Sequence, residues 1–310
     1  MDQVICPSLP FFISNIFKLL IPVDFEWGST CTVVLSLSFS LYRFFCLLFL
    51  SLYEEAISPM FVLFATKRLI VLCLLAVGVP ILMIYNHIGF FLDDILFPGW
   101  RATKMITSPV FIVGNARSGT TWIHRTLTSS STSTSTSAST KNRTVESDGL
   151  ESQFTAIQTW ELLFAPSVTY RRMFLYLYRV DKSLLNGTVY DFICYIDDAL
   201  FRKIVIHPVG LFKAEEDEWL MVHIGLSQLI LFFFPLGGKL MNPLVDFDKA
   251  ISHKYRIAII KYYRDCIKRH YHGRQLSQKT IYVSKNPAFT MRLATLLEVF
   301  PDAKVRIIYM

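Results

Sequence analysis

A strand, a glycine-containing loop and a helix follow one another between residues 110 and 122, and this segment constrains the fold most strongly. Residues 110–113 read Val-Phe-Ile-Val, a short apolar run that is typical of a central strand in a parallel sheet. Gly114 and Gly119 bracket the turn that follows, and Thr120 opens a helix. Because loop amides and a helix N-terminus point at one spot and attract an anion, the segment predicts an α/β domain with an anion-binding loop.

The loop is similar to the GxxxxGK[ST] loop of nucleotide-binding proteins, with one departure. Thr120 stands where that motif has lysine, and a cation comes earlier, at Arg117. Since a lysine normally reaches the terminal phosphates, nucleoside triphosphate hydrolysis is disfavoured. A membrane-tethered nucleotide-binding protein of this loop class is kept as an alternative.

A strand–helix–strand pattern closes the sequence. Residues 280–284 and 305–310 are predicted strands, and residues 289–299 form the predicted helix between them. This spacing is typical of a βαβ unit, whose strands run parallel. Residues 215–234 are predicted to be one buried helix. The fold class is therefore α/β, with a P-loop-like parallel sheet flanked by helices and preceded by N-terminal membrane helices.

The membrane prediction rests on residues 69–92, which contain no charged side chain and are long enough to cross a bilayer. Residues 31–52, interrupted by Arg43, are a second and weaker candidate. The predicted organisation is a hydrophobic region at 1–68, a transmembrane helix at 69–92, a connector at 93–107 and a catalytic-type domain at 108–310. A Ser/Thr-rich stretch at 128–149 is a predicted disordered insertion within that domain.

Charged residues beside the apolar segment predict its orientation. Lys67 and Arg68 precede it, and the positive-inside rule then places residues after 92 in the lumen, in the Golgi or another secretory-pathway membrane. Sequons at Asn142 and Asn186 fit a glycoprotein there.

The net charge of +7 fits an anionic ligand or a membrane surface as partner. No nucleic-acid-binding signature accompanies it, so nucleic acid is not an expected partner. The six cysteines show no CxxC or Cys/His ligand spacing, so no metal site is predicted.

Several motifs in a fixed order carry a family resemblance over roughly residues 108–310, outside the insertion. Arg-Ser-Gly-Thr-Thr at 117–121 resembles the 5′-phosphosulfate loop of sulfotransferases that use 3′-phosphoadenosine 5′-phosphosulfate, in the broad group found in bacteria and eukaryotes. The other matching segments are Trp160-Glu161, His207-Pro208-Val209-Gly210, residues 215–218, Lys285-Asn286-Pro287 and residues 296–304.

The resemblance implies transfer of a sulfuryl group from that donor to a hydroxyl of a glycan, protein or lipid, without a metal. Glu161 matches the general base in position, Glu216 or Asp217 is the alternative base, and His207 is a third candidate. Lys285 would be a second cation near the bridging oxygen. The loop residues expected to bind the donor are Arg117, Ser118, Gly119, Thr120, Thr121 and Trp122, and Arg117 is also a predicted catalytic cation.

In the family that this sequence resembles, an Arg-Asp-Pro turn and a serine that hold the 3′-phosphate follow the strand matching residues 305–310. Here the sequence stops at Met310. The expectation is therefore a truncated form that is inactive or nearly so, and an inactive truncated homologue is the remaining alternative.

Overall fold

The computed structural model describes residues 65–104, 108–115, 118–129, 153–201, 209–229 and 242–308, together with a few helical residues between 37 and 45. A 3-10 helix at Pro98–Ala102 follows the first long helix, and another at Pro287–Arg292 follows the third strand. The strands are β1 (Val110–Gly114), β2 (Phe154–Thr155), β3 (Ile281–Lys285) and β4 (Lys304–Ile308). The helices are α1 (Ala65–Leu96), α2 (Thr120–Ser129), α3 (Thr159–Phe164), α4 (Val168–Leu184), α5 (Thr188–Phe201), α6 (Glu218–Val222), α7 (Asn242–Val245), α8 (Phe247–Ala250), α9 (His253–Arg274) and α10 (Leu293–Val299).

The four strands form one parallel sheet in the order β2-β3-β1-β4. β1 lies in the middle, with Ile112 opposite Lys285 of β3 and opposite Arg306 of β4. The parallel arrangement predicted for the last two strands is confirmed, and β1 lies between them. The fully apolar run of β1 agrees with this place, because Phe111, Ile112 and Val113 are all buried.

Aromatic side chains fill the core on one face of β1. The Phe111 ring lies 5.3–6.3 Å, between centroids, from the rings of Tyr263, Phe289 and Phe300. These rings come from α9, from the 3-10 helix after β3 and from the end of α10. The core therefore joins segments distant in sequence on the central strand.

Two predicted helices differ from the observed ones. Within the described part of the predicted helix at 215–234, α6 covers Glu218–Val222 and the chain turns at Gly225, where φ is +65°, while residues 230–234 lie outside the described part. The helix predicted at 289–299 is a 3-10 helix up to Arg292 and an α-helix from Leu293. Pro287 begins this 3-10 turn, and the buried Arg292 guanidinium is held by Glu218 at 3.0 Å.

Helix α1 runs through the predicted span at 69–92 and continues to Leu96. Cys73–Leu96 is long and apolar enough, by length and composition, to cross a membrane. Its C-terminal half also packs on the domain, since Asn86 and Asp93 are fully buried there. A core helix passes the same test of length and composition, so the membrane span stays a prediction.

The predicted connector is ordered where it is described. Its first residue, Asp93, belongs to α1, and Trp100 of the following 3-10 helix is buried beneath the guanidinium of Arg269, 3.7 Å from the ring centroid. In the predicted insertion, Thr128 and Ser129 are the last residues of α2, and residues 130–149 lie outside the described part. Most of the candidate segment at 31–52 also lies outside it.

Candidate functional site

The loop after β1 has the strand–turn–helix geometry that the sequence predicts. Gly114 has φ +149°, and a Cβ there would lie 2.0 Å from the carbonyl oxygen of Ile308, so only glycine fits between β1 and β4. Ser118 donates its hydroxyl to the carbonyl of Asn115 at 2.7 Å, and Gly119, with φ +84°, leads into α2. Arg117, the predicted loop cation, lies outside the described residues.

Helix α2 begins at Thr120, which is buried, while Trp122 is exposed over 72% of its surface. Because the first turn of an α-helix leaves backbone amides without intrahelical acceptors, this end of α2 suits an anion. The sequence-predicted loop residues Ser118, Gly119, Thr120, Thr121 and Trp122 therefore lie together at the carboxyl end of β1.

Two side chains fix α2 against the rest of the domain. His124 bonds through Nε2 to the carbonyl of Val283 in β3, at 3.2 Å. Burial, with a smaller contribution from the Lys285 ammonium, lowers the pKa of His124 to about 4, so this imidazole is neutral at pH 7. Arg125 forms an ion pair of 3.3 Å with the buried Glu215.

Lys285 and Glu216 form an ion pair at the carboxyl end of β3. The Lys285 side chain is 2% exposed and that of Glu216 is 26% exposed. The backbone N–H of Asn286, the residue after Lys285, donates to the carbonyl of Ile112, so the ammonium lies beside the end of β1, where the loop starts. Two candidates named separately from the sequence therefore lie together at the loop end of the sheet.

The acidic run at 215–218 gives each carboxylate a different partner. Glu215 pairs with Arg125, Glu216 with Lys285, and Glu218 with both terminal nitrogens of Arg292, at 3.0 and 3.1 Å. This run ties the helix after the loop, the end of β3 and the 3-10 helix into one unit. These three glutamates therefore form specific ion pairs, in addition to the favourable interaction of their charges with the N-terminus of α6.

Asp217, the other member of the run, is buried beneath the sheet. Its Oδ2 accepts hydrogen bonds from the hydroxyls of Tyr263, at 2.5 Å, and Tyr282, at 2.9 Å. Burial raises the pKa of the Asp217 carboxyl to about 6, despite these donors. With 1% of its surface exposed, Asp217 is less accessible to an acceptor than Glu216.

Glu161 has a different environment. It is fully buried and lies 2.8 Å from Arg171 Nε, 2.6 Å from Arg274 Nε and 3.7 Å from His270 Nδ1. Burial alone would raise the pKa of this carboxyl, but Arg274 and Arg171 outweigh it and hold the pKa well below its usual range. A base must contact the acceptor hydroxyl and take its proton, and this arrangement favours Glu216 over Glu161 for that role.

Sequence reasoning missed the contacts that hold the site together. The Arg125–Glu215 pair and the Tyr263–Asp217–Tyr282 cluster join residues 46 to 90 positions apart, so no local spacing could have shown them. The third base candidate, His207, lies outside the described residues. Among the residues described, no group of three or more His, Cys, Asp or Glu side chains could hold a metal ion.

The arrangement suits an anionic group. Backbone amides at the start of α2 supply positive potential, and the Lys285 ammonium lies at the same end of the sheet in its ion pair with Glu216. A Cβ atom on Gly119 would meet no described atom within 4 Å, and this open space leaves room for a ligand against the backbone.

The fold is similar to one seen in crystal structures of sulfotransferases. The structure of a sulfotransferase from Mycobacterium avium matches with a TM-score of 0.52 and 16% sequence identity, over 100% of this chain and 64% of that one. A sulfotransferase from Mycobacterium tuberculosis matches with a TM-score of 0.44 and 14% identity, over 97% of this chain and 67% of that one. No protein-family model and no curated protein matches the sequence.

The first of these likenesses defines the class of fold. This chain has an α/β fold with a four-stranded parallel sheet flanked by helices, of the kind found in the Mycobacterium avium sulfotransferase. It spans 64% of that protein's length. At 16% identity the likeness extends to the fold, and the chemistry has to be argued from the side chains at the loop.

Proposed function

We propose that this protein is a sulfotransferase that moves a sulfuryl group from 3′-phosphoadenosine 5′-phosphosulfate to a hydroxyl of an acceptor. The observation that carries the proposal is the ion pair of buried Lys285 with partly exposed Glu216, beside a loop that has Thr120 where nucleotide-hydrolysing loops have lysine. One accessible carboxylate and one cation at the anion-binding end of the sheet are what sulfuryl transfer to a hydroxyl requires.

The loop would hold the 5′-phosphosulfate of the donor. Its amides from Gly119 to Thr121 and the hydroxyls of Thr120 and Thr121 are the donors in that place, and Arg117 supplies a guanidinium in the sequence. The exposed ring of Trp122 lies on the first turn of α2, within the same segment. Ligands of open α/β sheets bind beyond the carboxyl ends of the strands, and Ser118, Thr120, Thr121 and Trp122 lie at that end of β1.

Glu216 and Lys285 would act on opposite sides of the transferred sulfur, Glu216 on the attacking hydroxyl and Lys285 on the departing phosphate. Glu216 would take the proton of the acceptor hydroxyl while the hydroxyl oxygen forms its bond to sulfur. The sulfur–oxygen bond to the 5′-phosphate breaks in the same displacement, and Lys285 with the loop amides would stabilise the charge that collects on the departing phosphate. The products are the sulfated acceptor and 3′-phosphoadenosine 5′-phosphate.

Binding of 3′-phosphoadenosine 5′-phosphate to the full chain in detergent, measured by calorimetry, tests the proposal without knowledge of the acceptor. We expect binding of this product and no hydrolysis of ATP with magnesium. Lys285→Met should weaken product binding about 10- to 100-fold, because a hydrogen bond to a charged group contributes about 1.5–3 kcal/mol. ATP hydrolysis without product binding would favour the nucleotide-binding alternative.

Lys279→Met is the matched control for this measurement. Lys279 is an exposed lysine two residues before β3, at the opposite end of the strand from Lys285. It should leave product binding unchanged, whereas equal loss in both variants would attribute the effect to net charge and contradict a specific role for Lys285.

The setting of the enzyme also belongs to the proposal. We infer a domain that faces the lumen of the Golgi or another secretory compartment, because Lys67 and Arg68 precede the apolar helix. A glycan, protein or lipid hydroxyl is then the acceptor class. Protease protection in sealed microsomes tests the orientation, and digestion of the domain from the cytosolic side would contradict it.

A further inference from the structure

The polarity of α1 is inverted relative to a helix on the surface of a water-soluble domain. Its aliphatic side chains face outward at helical spacing, while Asn86, His87 and Asp93 face the domain and are buried. Asn86 donates to the carbonyl of Leu163 at 2.9 Å, and Asp93 accepts from Val168 and Thr169. The exposed stripe consists of Leu74, Val77, Ile81, Ile84, Ile88 and Ile95.

Helix α5 also has an exposed apolar face. None of its 14 residues, all of which the structure describes, is buried. Phe192 is 61% exposed, and the exposed apolar residues lie on one face at spacings of three and four. That face consists of Val189, Phe192, Ile193, Ile196 and Leu200.

Helix α4 forms a hairpin with α5 and adds a third apolar stripe, made of Met173, Tyr176, Leu177 and Leu184. The hairpin is held firmly, because the Asp181 carboxylate accepts from the backbone N–H groups of Val189 and Tyr190, at 3.0 and 2.9 Å. The rings of Tyr178 and Tyr190 also pack edge to face across it, with centroids 5.1 Å apart. The exposed face therefore belongs to an ordered element.

The hairpin and α1 are in direct contact. Tyr170 of α4 stacks on Tyr85 of α1, with ring centroids 4.2 Å apart, and its hydroxyl donates to the Tyr85 carbonyl at 3.0 Å. The three stripes therefore lie on elements packed against one another.

We propose that the outward faces of α1, α4 and α5 form one membrane-docking surface that lies against a lipid bilayer, with the α4–α5 hairpin in the plane of the interface. Exposed apolar faces on helices that pack against one another mark an interaction site, and the helix that carries the first stripe has the length and composition of a bilayer segment. The proposal is independent of the sulfotransferase chemistry.

The geometry of the hairpin favours an in-plane position. α5 is about 21 Å long at 1.5 Å per residue, which is too short for a hydrocarbon core of about 30 Å. An amphipathic helix of this length instead buries its apolar face at the boundary between headgroups and acyl chains. Its exposed Tyr195 has the ring type that is enriched at that depth.

The charges around the hairpin predict the kind of lipid. Exposed Arg179 and Lys182 of α4 are balanced by exposed Asp191 and Asp198 of α5. Because the signs cancel, docking should depend on apolar burial and should occur on zwitterionic lipid without an anionic component.

Depth-dependent quenching tests the membrane-docking surface. The full chain is reconstituted in phosphatidylcholine vesicles whose acyl chains carry bromine near the glycerol end. The fluorescence that Phe192→Trp adds to that of the parent chain should lose most of its intensity in brominated vesicles. Ile196→Trp, on the same face, is the second probe in case the first variant folds poorly.

Asp191→Trp is the matched control, one residue away on the polar face of α5, and its added fluorescence should keep its intensity. Equal intensity of the Phe192→Trp signal in brominated and ordinary vesicles would overturn the proposal. So would a blue shift that depends on protein concentration in place of quenching, because this would identify a second copy of the chain as the occupant.

Asn186 provides an independent check, since it lies in the turn at the tip of the hairpin, between Leu185 and Val189. Although the Asn186 sequon fits a lumenal glycoprotein, a tip that dips into the interface is shielded from glycosylation, so the chain expressed in secretory cells should carry no glycan at this asparagine. An N186Q variant that loses a glycan-sized mass would contradict the docking surface.

Discussion

At the scale of residues, Glu161 and Glu216 both pair with cationic side chains, but they differ in their exposure to solvent. Glu161 lies among three cationic or potentially cationic side chains and has no exposed surface, so its charge stabilises the buried arginines. Glu216 keeps a quarter of its side chain exposed while its lysine partner is buried. A carboxylate that must meet a substrate needs such access, which distinguishes the two glutamates although both were plausible bases from the sequence.

Exchanging each glutamate for glutamine should separate structure from chemistry. Glu161→Gln removes the carboxylate that pairs with the buried Arg171 and Arg274, and should lower the free energy of unfolding by about 3–5 kcal/mol. Glu216→Gln removes the carboxylate paired with the buried Lys285, so it should also lower stability, and its distinguishing effect should be a rate of sulfuryl transfer about 10²- to 10⁴-fold lower per folded molecule. Chemical denaturation and transfer from radiolabelled donor are the two measurements, and the opposite assignment of effects would restore Glu161 as the base.

Asp217 should make stability depend on pH. Its pKa rises from 3.8 to about 6 on burial, so between these pH values the folded state holds a proton that the unfolded state has lost. This contribution is present at low pH and is lost as pH rises from about 4 to 6, by about 3 kcal/mol. The difference in unfolding free energy between the native chain and Asp217→Asn, measured at pH 4 and pH 7, should change by that amount. A constant difference would contradict the raised pKa.

The loop could be predicted from the sequence because its signals are local. Gly114 and Gly119, the apolar strand before them and Thr120 after them lie within eleven residues. The base could not be chosen in the same way, because Arg274, which contacts Glu161, and Lys285, which contacts Glu216, are 113 and 69 positions away from them. Only the fold shows which carboxylate the buried arginines enclose.

At the scale of elements, α1 and α4 approach closely at Gly89. A Cβ on Gly89 would lie 2.6 Å from the Tyr170 ring and 2.7 Å from the Ser167 hydroxyl, which itself accepts from Tyr170 N at the start of α4. Asp93, one turn further along α1, accepts the first free amides of α4 and pairs with Arg269 at 3.0 Å. Helix α1 therefore caps and positions a helix of the domain.

Two glycines of α1 provide a matched pair for testing this contact. Gly89→Ala should lower the free energy of unfolding by about 1–3 kcal/mol, because the helices must separate to admit the methyl group. Gly78→Ala, where the described residues leave the space around the new Cβ open, should raise it by about 0.5–1 kcal/mol through reduced chain entropy. Equal effects in thermal unfolding would show that α1 does not pack on α4 as described.

The sequence predicted α1 as an apolar helix but could not show its second role. An apolar stretch that ends in Asp93 is consistent with a membrane segment followed by a connector, and nothing local distinguishes a capping carboxylate from a flanking one.

The shortened helix α6 also depends on a contact that is not visible in the sequence. The apolar run after Glu218 is helical in composition, yet the Glu218 carboxylate bonds to the backbone of Gln228 at 2.5 Å and holds the chain in a turn.

At the scale of the whole molecule, the domain does not begin where its first strand begins. Met83 and Phe90 of α1 belong to the main core, which also contains Phe111 of β1 and most buried residues of α9. The boundary at residue 108 suggested by the sequence therefore cuts through a packed interior, although it matches the start of the segment that carries the family resemblance.

A fragment that starts at Ser108 should accordingly fail to fold. It lacks the core side chains of α1, the Asp93 contacts to α4 and to Arg269, and the Phe90 and Trp100 rings that pack on Arg269. The full chain should show a cooperative thermal transition in near-ultraviolet circular dichroism, and the fragment should show none. A fragment with the same transition as the full chain would demonstrate that α1 is dispensable.

The central position of β1 also has a consequence for synthesis on the ribosome. β1 leaves the ribosome early, but both of its neighbours are encoded late, and about 170 residues separate Gly114 from Ile281. At a translation rate of about 5–20 residues per second, β1 has no partner strand for roughly 10–30 s, until β3 has been synthesised. During that interval Phe111, Ile112 and Val113 have no sheet to join, so a nascent chain of this topology requires a chaperone, or the nearby membrane, to keep β1 from pairing with other chains.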